Sequence, residues 1–400
     1  MIGLRRVRID LAAGHVRVER LNGVAIAGTT RTVKDVIASV DLDLVARRCV
    51  FERADDGPAI TVDFPATVFA RPPGPIVYLD QNQWINVARA ALTPEQVTPE
   101  SDCGAAMALV DAAHRCELTL PLAAAHLVEL SRAGSVRRRR ELGHVMADLC
   151  NGWFMRNPLA VRREEVVTAL QRCAARPTNA RPRSPVFTCS PAGFYSFKST
   201  VADPEPDVDF GGHPLHGVDY AAQMSRLHSL LSLVATVIDE RPLDPAEGRT
   251  RAAGWASEHD QLSQFLGATP KSRTQRQLAV RAKVLADLGD ELAIWALASG
   301  MSTAEFGEWF TVTSESDLRQ MPYMARVHEV VQLRLANRDD RWEGNDLNDL
   351  HFLSCAAGYS DIVVAEKKHG NYLRRVAARV TRGAEVVTSL RNAAELLALV

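Results

Sequence analysis

Residues 76–88, IVYLDQNQWINVA, are the stretch that decides the predicted fold of this 400-residue chain. Four apolar residues, 76–79, end abruptly at Asp80, and helical character follows from Asn82 to Leu92. A continuous apolar run of this length is typical of a strand buried on both faces, as in a parallel sheet. The stretch therefore predicts a parallel strand that is followed by an acidic residue and a helix.

The segments outside this strand continue the alternation of strands and helices. The pattern predicts helices over 104–115, 123–132, 346–357 and 371–381, and strands over 116–120 and 362–365. Strands that alternate with helices indicate an α/β fold with a parallel sheet flanked by helices. We expect its core to be divided between residues 76–131 and 345–381, with a large, mainly helical insertion at about 150–340 between them.

Within the insertion, an irregular loop is expected over 176–217, a mixed polar segment over 241–275, and helices over 220–238, 277–297 and 324–335. Residues 1–72 alternate with period two and predict a small β-rich N-terminal unit. The stiff segment Arg71-Pro72-Pro73-Gly74-Pro75 closes that unit. The expected organisation is thus a unit over 1–72 and a domain over 73–400.

Composition narrows the classes of function. The 47 basic and 48 acidic side chains give a formal net charge of -1, which excludes a generally basic coat but leaves room for a local basic patch. No apolar run is long enough for a membrane-spanning helix, and the N-terminus lacks the apolar run of a signal peptide. The seven cysteines form no CxxC pair, so we expect reduced thiols in a cytoplasmic protein.

Acidic residues fall at the ends of the predicted α/β elements. They are Asp80, Glu129, Asp346, Asp349, Asp361 and Glu366. Because ligands of parallel sheets bind at the carboxyl ends of the strands, these acids are placed to form a cluster. Carboxylate oxygens suit hard cations such as Mg²⁺ or Mn²⁺. The simpler alternatives are helix capping by Asp80 and Asp346, a partly exposed Glu129 and a solvated turn at Glu366.

At these residues the sequence resembles the PIN-domain nuclease family, and is most similar to bacterial PIN-like proteins. The resemblance rests on IVYLDQNQWINVA (76–88), LPLAAAHLVEL (120–130) and NDLNDLHFLSCAAGYSDIVVAEKKHGNYLRR (345–375). The family holds one or two Mg²⁺ or Mn²⁺ ions with three or four acids and hydrolyses RNA, or in some members DNA. The resemblance therefore implies a PIN-like parallel sheet and a cofactor of one or two such ions.

The resemblance also implies roles for individual acids. Asp80 matches the first acid of the family and Glu129 the second. Asp349 or Asp346 matches the third. Glu366 matches the fourth, although the family usually has Asp there, and the longer side chain can still bind a metal.

The same resemblance implies roles for two further residues near the predicted site. Asp361 is an additional acid further from the metal, and Asn82 orients the scissile phosphate or a metal-bound water. The long insertion departs from the family pattern and leaves the accessibility of the cleft open.

Basic residues near these acids are candidate nucleic-acid contacts. They are Arg137, Arg138, Arg139, Arg140, Lys367 and Lys368. Next to a nuclease site, such cations are a predicted track for phosphates. The simpler interpretation of the arginine run is a solvated helix face.

The resemblance implies a metal-dependent endonuclease, most simply an endoribonuclease, whose partners are RNA or DNA and an antitoxin or regulatory protein. By analogy such a protein acts as a toxin or as a phage-defence effector. One alternative is a catalytically inactive PIN-like scaffold that binds RNA or protein. Another is a metal-dependent phosphatase that acts on small phosphoesters.

Overall fold

A computed structural model gives the three-dimensional structure of the chain. It describes residues 4–30, 32, 36–46, 48–54, 57–63, 71–97, 100–132, 134–174, 185–189, 207–210, 213–216, 246–268, 272–337, 339–380 and 383–400. The helix expected over 220–238 lies outside these residues, as does most of the loop expected over 176–217.

The described strands, in chain order, are β1 (Leu4–Asp10), β2 (His15–Arg20), β3 (Ala25–Thr29), β4 (Ile37–Asp43), β5 (Arg48–Arg53), β6 (Ile60–Asp63), β7 (Val77–Leu79), β8 (Phe154–Met155), β9 (Phe187–Thr188), β10 (Asp207–Phe210), β11 (His213–His216), β12 (Ile362–Val364) and β13 (Glu385–Val387). The first half of the chain contains the helices α1 (Gln81–Leu92), α2 (Glu100–His114), α3 (Ala124–Ser131), α4 (Val136–Cys150) and α5 (Pro158–Cys173). A short 3₁₀ turn, Pro94–Gln96, lies between α1 and α2.

The second half of the chain is mostly helical. Its described helices are α6 (Ala246–Ala268), α7 (Arg273–Ala286), α8 (Gly289–Ala298), α9 (Thr303–Glu308), α10 (Ser314–Gln320), α11 (Pro322–Ala336), α12 (Gly344–Tyr359), α13 (Lys367–Ala377) and α14 (Leu390–Leu396). A π-helical turn, Trp309–Thr313, joins α9 to α10.

The N-terminal strands form a six-stranded antiparallel sheet in the order β3-β2-β1-β4-β5-β6. The turn between β1 and β2 contains Gly14 at φ +68°, and a Cβ at this position would lie 2.7 Å from the carbonyl oxygen of Thr30. Glycine is favoured there because it has no Cβ. These six strands lie within the segment 1–72 for which the sequence predicts a β-rich unit. This antiparallel sheet, rather than a parallel one, is the largest sheet in the described structure.

A second sheet is parallel and has the order β13-β12-β7. Ile362 of β12 pairs with Val77 of β7 and with Glu385 of β13, so the three strands are in register and their carboxyl ends meet at one edge. An isolated parallel bridge joins Ile76 to Thr119 beside this sheet. The prediction of a mixed α/β fold is confirmed.

The apolar run in β7 is buried on both faces, as the sequence predicts. Val77 and Leu79 pack into a cluster with Phe51 of the N-terminal sheet, whereas Tyr78 packs into a second cluster with Tyr323 of α11. Successive side chains of a strand point to opposite faces, so one short strand serves both clusters. The parallel sheet thus lies between the N-terminal sheet with its adjoining helices and the helices of the insertion.

The insertion differs from the prediction in three places. The helix expected over 277–297 is divided into α7 and α8 at Gly289, whose φ of +51° is a left-handed conformation that glycine readily adopts. The mixed segment over 241–275 contains the 23-residue helix α6. The loop expected over 176–217 contains the hairpin β10-β11. Among the described helices, none combines the length and apolar character that crossing a membrane requires.

A buried carboxylate connects the insertion to the start of α11. Glu165 of α5 is 2% exposed and accepts hydrogen bonds from the backbone N–H groups of Tyr323 (2.8 Å) and Met324 (3.0 Å). It also accepts one from the hydroxyl of Tyr359 (2.6 Å). The first N–H groups of a helix have no partner within the helix, and an anion there is favoured by the helix dipole. Glu165 therefore fixes α11 between α5 and α12.

Candidate metal centre

Asp80 lies at the carboxyl edge of the parallel sheet, directly after β7. Its backbone N–H donates to the carbonyl of Val364 (2.9 Å), which continues the strand pairing by one residue. Its carboxylate caps α1 by accepting from the N–H of Gln81 (2.8 Å) and also accepts from the N–H of Glu366 (3.3 Å). The capping alternative for Asp80 is therefore real, but the same carboxylate also joins the ends of two neighbouring strands.

Glu129 is held near this edge by a neighbouring histidine on the same face of α3. The backbone N–H of Ala123 donates to His126 Nδ1 (3.0 Å), so that nitrogen is an acceptor. The other ring nitrogen, Nε2, donates to the carbonyl oxygen of Leu79 (3.0 Å). Burial lowers the pKa of His126 to about 4, consistent with this neutral form. His126 thus fixes the first turn of α3 to the residue before Asp80.

Asp349 is the third acid of this region and lies on α12. Its carboxylate is 33% exposed and lies 3.3 Å from Nε2 of His369 on α13. Its negative charge raises the pKa values of both Asp80 and Glu129, so the three carboxylates lie within electrostatic reach of one another. We call Asp80, Glu129 and Asp349 the acid cluster.

The acid cluster is electrostatically strained when no cation neutralises it. Burial, followed by the charge of Asp349, raises the pKa of Asp80 to about 6. Burial, followed by the charges of Asp80 and Asp349, raises the pKa of Glu129 to about 8. Carboxyl groups in such surroundings resist ionisation, because desolvation and like charges both disfavour the anion. Perturbed acids of this kind often mark functional sites.

Asp346 differs from the acid cluster because cations surround it. It is 4% exposed, and it accepts from a guanidinium nitrogen of Arg334 (2.8 Å) and from Lys368 Nζ (3.3 Å). Its carboxylate also accepts from the N–H of Glu343 at the start of α12 (2.7 Å). Burial alone would raise the pKa of Asp346, but hydrogen bonds from His369 and Arg334 lower it well below its usual value.

Asp346 therefore has a structural role. Arg334 is fully buried beneath it, binds Asp340 as well, and lies 3.9 Å from the ring centroid of Trp342. The resemblance offers Asp346 or Asp349 as the third metal-binding acid. Asp349 is the one whose charge acts on Asp80 and Glu129.

Within the described residues, one group of three side chains has potential metal-ligating atoms that all lie within 4.8 Å of one another: Asp346, Asp349 and His369. His369 lies 3.4 Å from Asp346 and 3.3 Å from Asp349. Burial opposes a charge on His369, but hydrogen bonds to the two carboxylates raise its pKa to about 9. Without a metal this group therefore forms an ion-pair bridge, and a metal bound here would have to displace the proton of His369.

The remaining acids predicted from the sequence have different positions. Glu366 is the N-cap residue of α13, has an exposed side chain, and adds negative charge at Asp80 and Glu129, so it borders the acid cluster. Asp361 lies at the opposite end of β12, where its carboxylate accepts from the N–H of Ile76 (2.7 Å). The structure does not bring Asp361 to the others, because the length of the strand, about 10 Å, separates the two edges.

The side chains predicted to contact phosphate differ in their exposure. Asn82 is exposed in the first turn of α1, two residues after Asp80, and Lys367 and Lys368 are exposed at the start of α13. The four arginines of α4 do not form one exposed face. Arg137 pairs with Glu141 (2.7 Å) and Arg138 is exposed, but Arg139 is 4% exposed and Arg140 lines a cavity of about 430 Å³ beside β6. Consecutive helical residues are about 100° apart, so four in a row cannot share a face.

Three residues of this region take positions that sequence reasoning missed. His126 shares a face with Glu129, but its spacing did not reveal the bond to Leu79. His369 follows Lys367 and Lys368, and the sequence pattern gave no sign that it bridges two acids of α12. Arg334 gave no signal, because nothing in an amphipathic helix pattern marks an arginine as buried. Comparison of the chain with known protein families, with curated proteins and with solved structures finds no match.

Proposed function

We propose that the chain is a PIN-like nuclease that requires Mg²⁺ or Mn²⁺ and hydrolyses phosphodiester bonds in RNA. The observation that carries this proposal is the acid cluster of Asp80, Glu129 and Asp349 at the carboxyl edge of a parallel sheet. The proposal is also supported by the order β13-β12-β7, because it brings Asp80 and Glu366, which follow adjacent strands, to one edge. The family resemblance assigns metal ligands to Asp80, Glu129 and Glu366 and to either Asp349 or Asp346.

The acid cluster fits the proposed cation in its chemistry. All of its donor atoms are carboxylate oxygens, which Mg²⁺ and Mn²⁺ prefer. Burial, and after it the repulsion between neighbouring carboxylates, raises the pKa values of Asp80 and Glu129 to about 6 and about 8. A divalent cation would offset that repulsion and favour ionised carboxylates. Asp80, Glu129 and Asp349 would hold the cation, and Glu366 would approach it from the start of α13. The carboxylate oxygens of the three acids do not all lie within 4.8 Å of one another, so their side chains would draw together around it.

A bound divalent cation would lower the pKa of a coordinated water and stabilise the charge that develops on a phosphate. The chain itself contributes position and charge. The N–H groups of Gln81 and Glu366 fix the carboxylate of Asp80, and His126 fixes the first turn of the helix that carries Glu129. Asn82, exposed next to Asp80, can donate its amide to a phosphate oxygen.

The test is cleavage of a labelled single-stranded RNA by the purified chain in Mn²⁺, with and without EDTA. Asp80→Asn should abolish cleavage, because the amide cannot supply an anionic ligand, while it retains an oxygen that can cap α1. Asp361→Asn is the matched control, since it removes the same charge from the opposite edge of the same sheet. Its amide oxygen can still accept from Ile76, so cleavage should persist.

Equal cleavage by wild type and Asp80→Asn would refute the site assignment. RNA binding without cleavage in Mn²⁺ or Mg²⁺ would favour the catalytically inactive scaffold. Hydrolysis of small phosphoesters without cleavage of RNA would favour the phosphatase.

A further inference from the structure

The helix α13 has an exposed face that is almost entirely cationic. Its buried positions are His369, Gly370, Tyr372, Leu373 and Val376, which pack towards the protein. Its exposed face carries Lys367, Lys368, Asn371, Arg374 and Arg375. These exposed positions recur at spacings of three and four residues, so they lie on one side of the helix. We call this set the α13 face.

The α13 face begins at the acid cluster. Glu366, the N-cap residue of α13, donates its backbone N–H to Asp80, and His369 in the first turn lies 3.3 Å from Asp349. The helix then leads away from that edge, and Arg374 and Arg375 lie about two turns further on, or roughly 10 Å along the axis. The cations therefore extend outward from the candidate site and are not scattered over the surface.

Two of the acids near this face, Asp340 and Asp346, are already paired within the protein. Asp340 binds Arg334 (3.1 Å), Lys368 (3.2 Å) and the hydroxyl of Tyr372 (2.8 Å). Asp346 is paired with Arg334 and Lys368. Because Arg334 and Lys368 together supply the two positive charges that balance these two carboxylates, the carboxylates cancel little of the charge of Arg374 and Arg375.

The surface beside the α13 face is concave. A cleft of about 380 Å³ is lined by Asn337, Asp339, Asp340, Lys368, Asn371, Tyr372 and Arg375. Cations, side-chain amides and the carboxylates of Asp339 and Asp340 thus line the same groove. A polyanion that lies along the helix would find positive side chains for its phosphates. Side-chain amides beside them could donate hydrogen bonds.

We propose that the α13 face binds the backbone phosphates of a single-stranded nucleic acid and guides the strand from Arg374 and Arg375 towards the acid cluster. This inference rests on the proposed function and adds the path of its substrate. Phosphate contacts from arginine and lysine position a nucleic acid without reading its sequence. The buried ring of Tyr372 is 7% exposed, so base stacking on it does not contribute. The α13 face should therefore bind RNA and DNA strands of equal length with similar affinity. Mutation of the face should reduce both affinities by similar factors.

The experiment measures binding in a chain that cannot cut. Asp80→Asn is combined with Arg374→Gln and Arg375→Gln, and fluorescence anisotropy of labelled single-stranded RNA and DNA is recorded over a series of salt concentrations. The control combines Asp80→Asn with Arg17→Gln and Arg115→Gln, two exposed arginines outside the α13 face. Both triple variants lose the same charge.

We expect the α13 variant to lose about tenfold in affinity at moderate salt, and its plot of log affinity against log salt to become shallower by about 1.4, since each lost phosphate contact on a single strand removes about 0.7. The control should match Asp80→Asn alone. Equal losses in both variants, or no binding by Asp80→Asn, would overturn the inference. Cleavage by the wild-type chain, assayed separately, tests the proposed function whichever result is found.

Discussion

Nε2 of His126 lies 3.0 Å from the carbonyl oxygen of Leu79, and this single bond joins the helix that carries Glu129 to the strand that precedes Asp80. The opposite ring nitrogen accepts from the N–H of Ala123, so the ring is used on both sides. The ring also stacks on Tyr78, with 5.2 Å between ring centroids. Two of the three acids in the cluster therefore owe their relative position to one buried, neutral imidazole.

Replacing this imidazole should destabilise the fold. His126→Ala leaves the N–H of Ala123 and the carbonyl of Leu79 without this partner and opens a cavity, so we expect the free energy of unfolding to fall by about 2 to 4 kcal/mol. Urea denaturation measures this. His114→Ala, which removes a half-exposed partner of Asp148, is the control and should cost less than about 1 kcal/mol. Similar losses in the two variants would contradict the positioning role.

Neutralising Asp80 should stabilise the chain when divalent cations are absent. Because burial and the charge of Asp349 raise the pKa of Asp80 to about 6, its anion opposes folding at pH 8. We expect Asp80→Asn in EDTA to unfold at higher urea, with a gain of about 1 to 3 kcal/mol. In Mn²⁺ the order should reverse, since the variant has lost a ligand. The variant Asp361→Asn should show neither effect.

The stability contributed by Glu129 should fall as the pH rises. Its pKa is raised from 4.5 to about 8, so the folded chain binds this proton more tightly than the unfolded chain does. The contribution is therefore complete below about pH 4.5 and is lost as the pH rises towards 8.

Glu129→Gln removes this group, so the variant should gain stability relative to wild type between pH 6 and pH 9, as measured by urea denaturation in EDTA. The comparison of the two chains also cancels the opposite trend of His126, whose lowered pKa costs stability as the pH falls from 6.5 to about 4. A difference that does not change with pH would show that Glu129 is not strained in the folded chain.

The two acids of α12 should respond in opposite ways to the same change. Asp346→Asn removes a charge that buried Arg334 requires, so we expect a loss of about 3 to 5 kcal/mol. Asp349→Asn relieves repulsion at Asp80 and Glu129 and should cost little, but it should reduce stabilisation by Mn²⁺. Thermal unfolding with and without Mn²⁺ separates the two. If Asp346→Asn were the milder change, the division between a structural acid and a ligand would be wrong.

Glu165 offers a test that is independent of the candidate site. Glu165→Gln keeps one acceptor oxygen for three donors and loses the anion at the start of α11, so a loss of about 2 to 4 kcal/mol is expected in urea denaturation. Its neighbour Glu164 pairs with Arg156 and is 34% exposed, so Glu164→Gln is the matched control and should cost less than about 1 kcal/mol. Equal costs would mean that Glu165 does not anchor α11.

The sequence predicted the parts of this fold that depend on local pattern. The apolar run of β7, the helix after it and the strand before Glu366 all occur where periodicity placed them. The sequence did not predict the features that depend on contacts between distant parts of the chain. Asp346 and Asp349 look equivalent in sequence, yet Arg334, twelve residues before Asp346, makes one structural and leaves the other facing the acid cluster. The strand β13 and helix α14 were missed because each is short, and β13 is defined by its pairing with β12.

The central strand of the parallel sheet, β12, pairs with β7 across 285 positions of the chain. Translation therefore produces Asp80 and Glu129 more than 200 residues before β12, the strand that lies between β7 and β13. Until β12 is made, Asp80 lacks the N–H of Glu366 and the charge of Asp349, and β7 has no partner on that side. Pairing over such distances is slow to form. The proposed site would therefore stay incomplete on the ribosome until the 285 residues that separate Val77 from Ile362 had been synthesised.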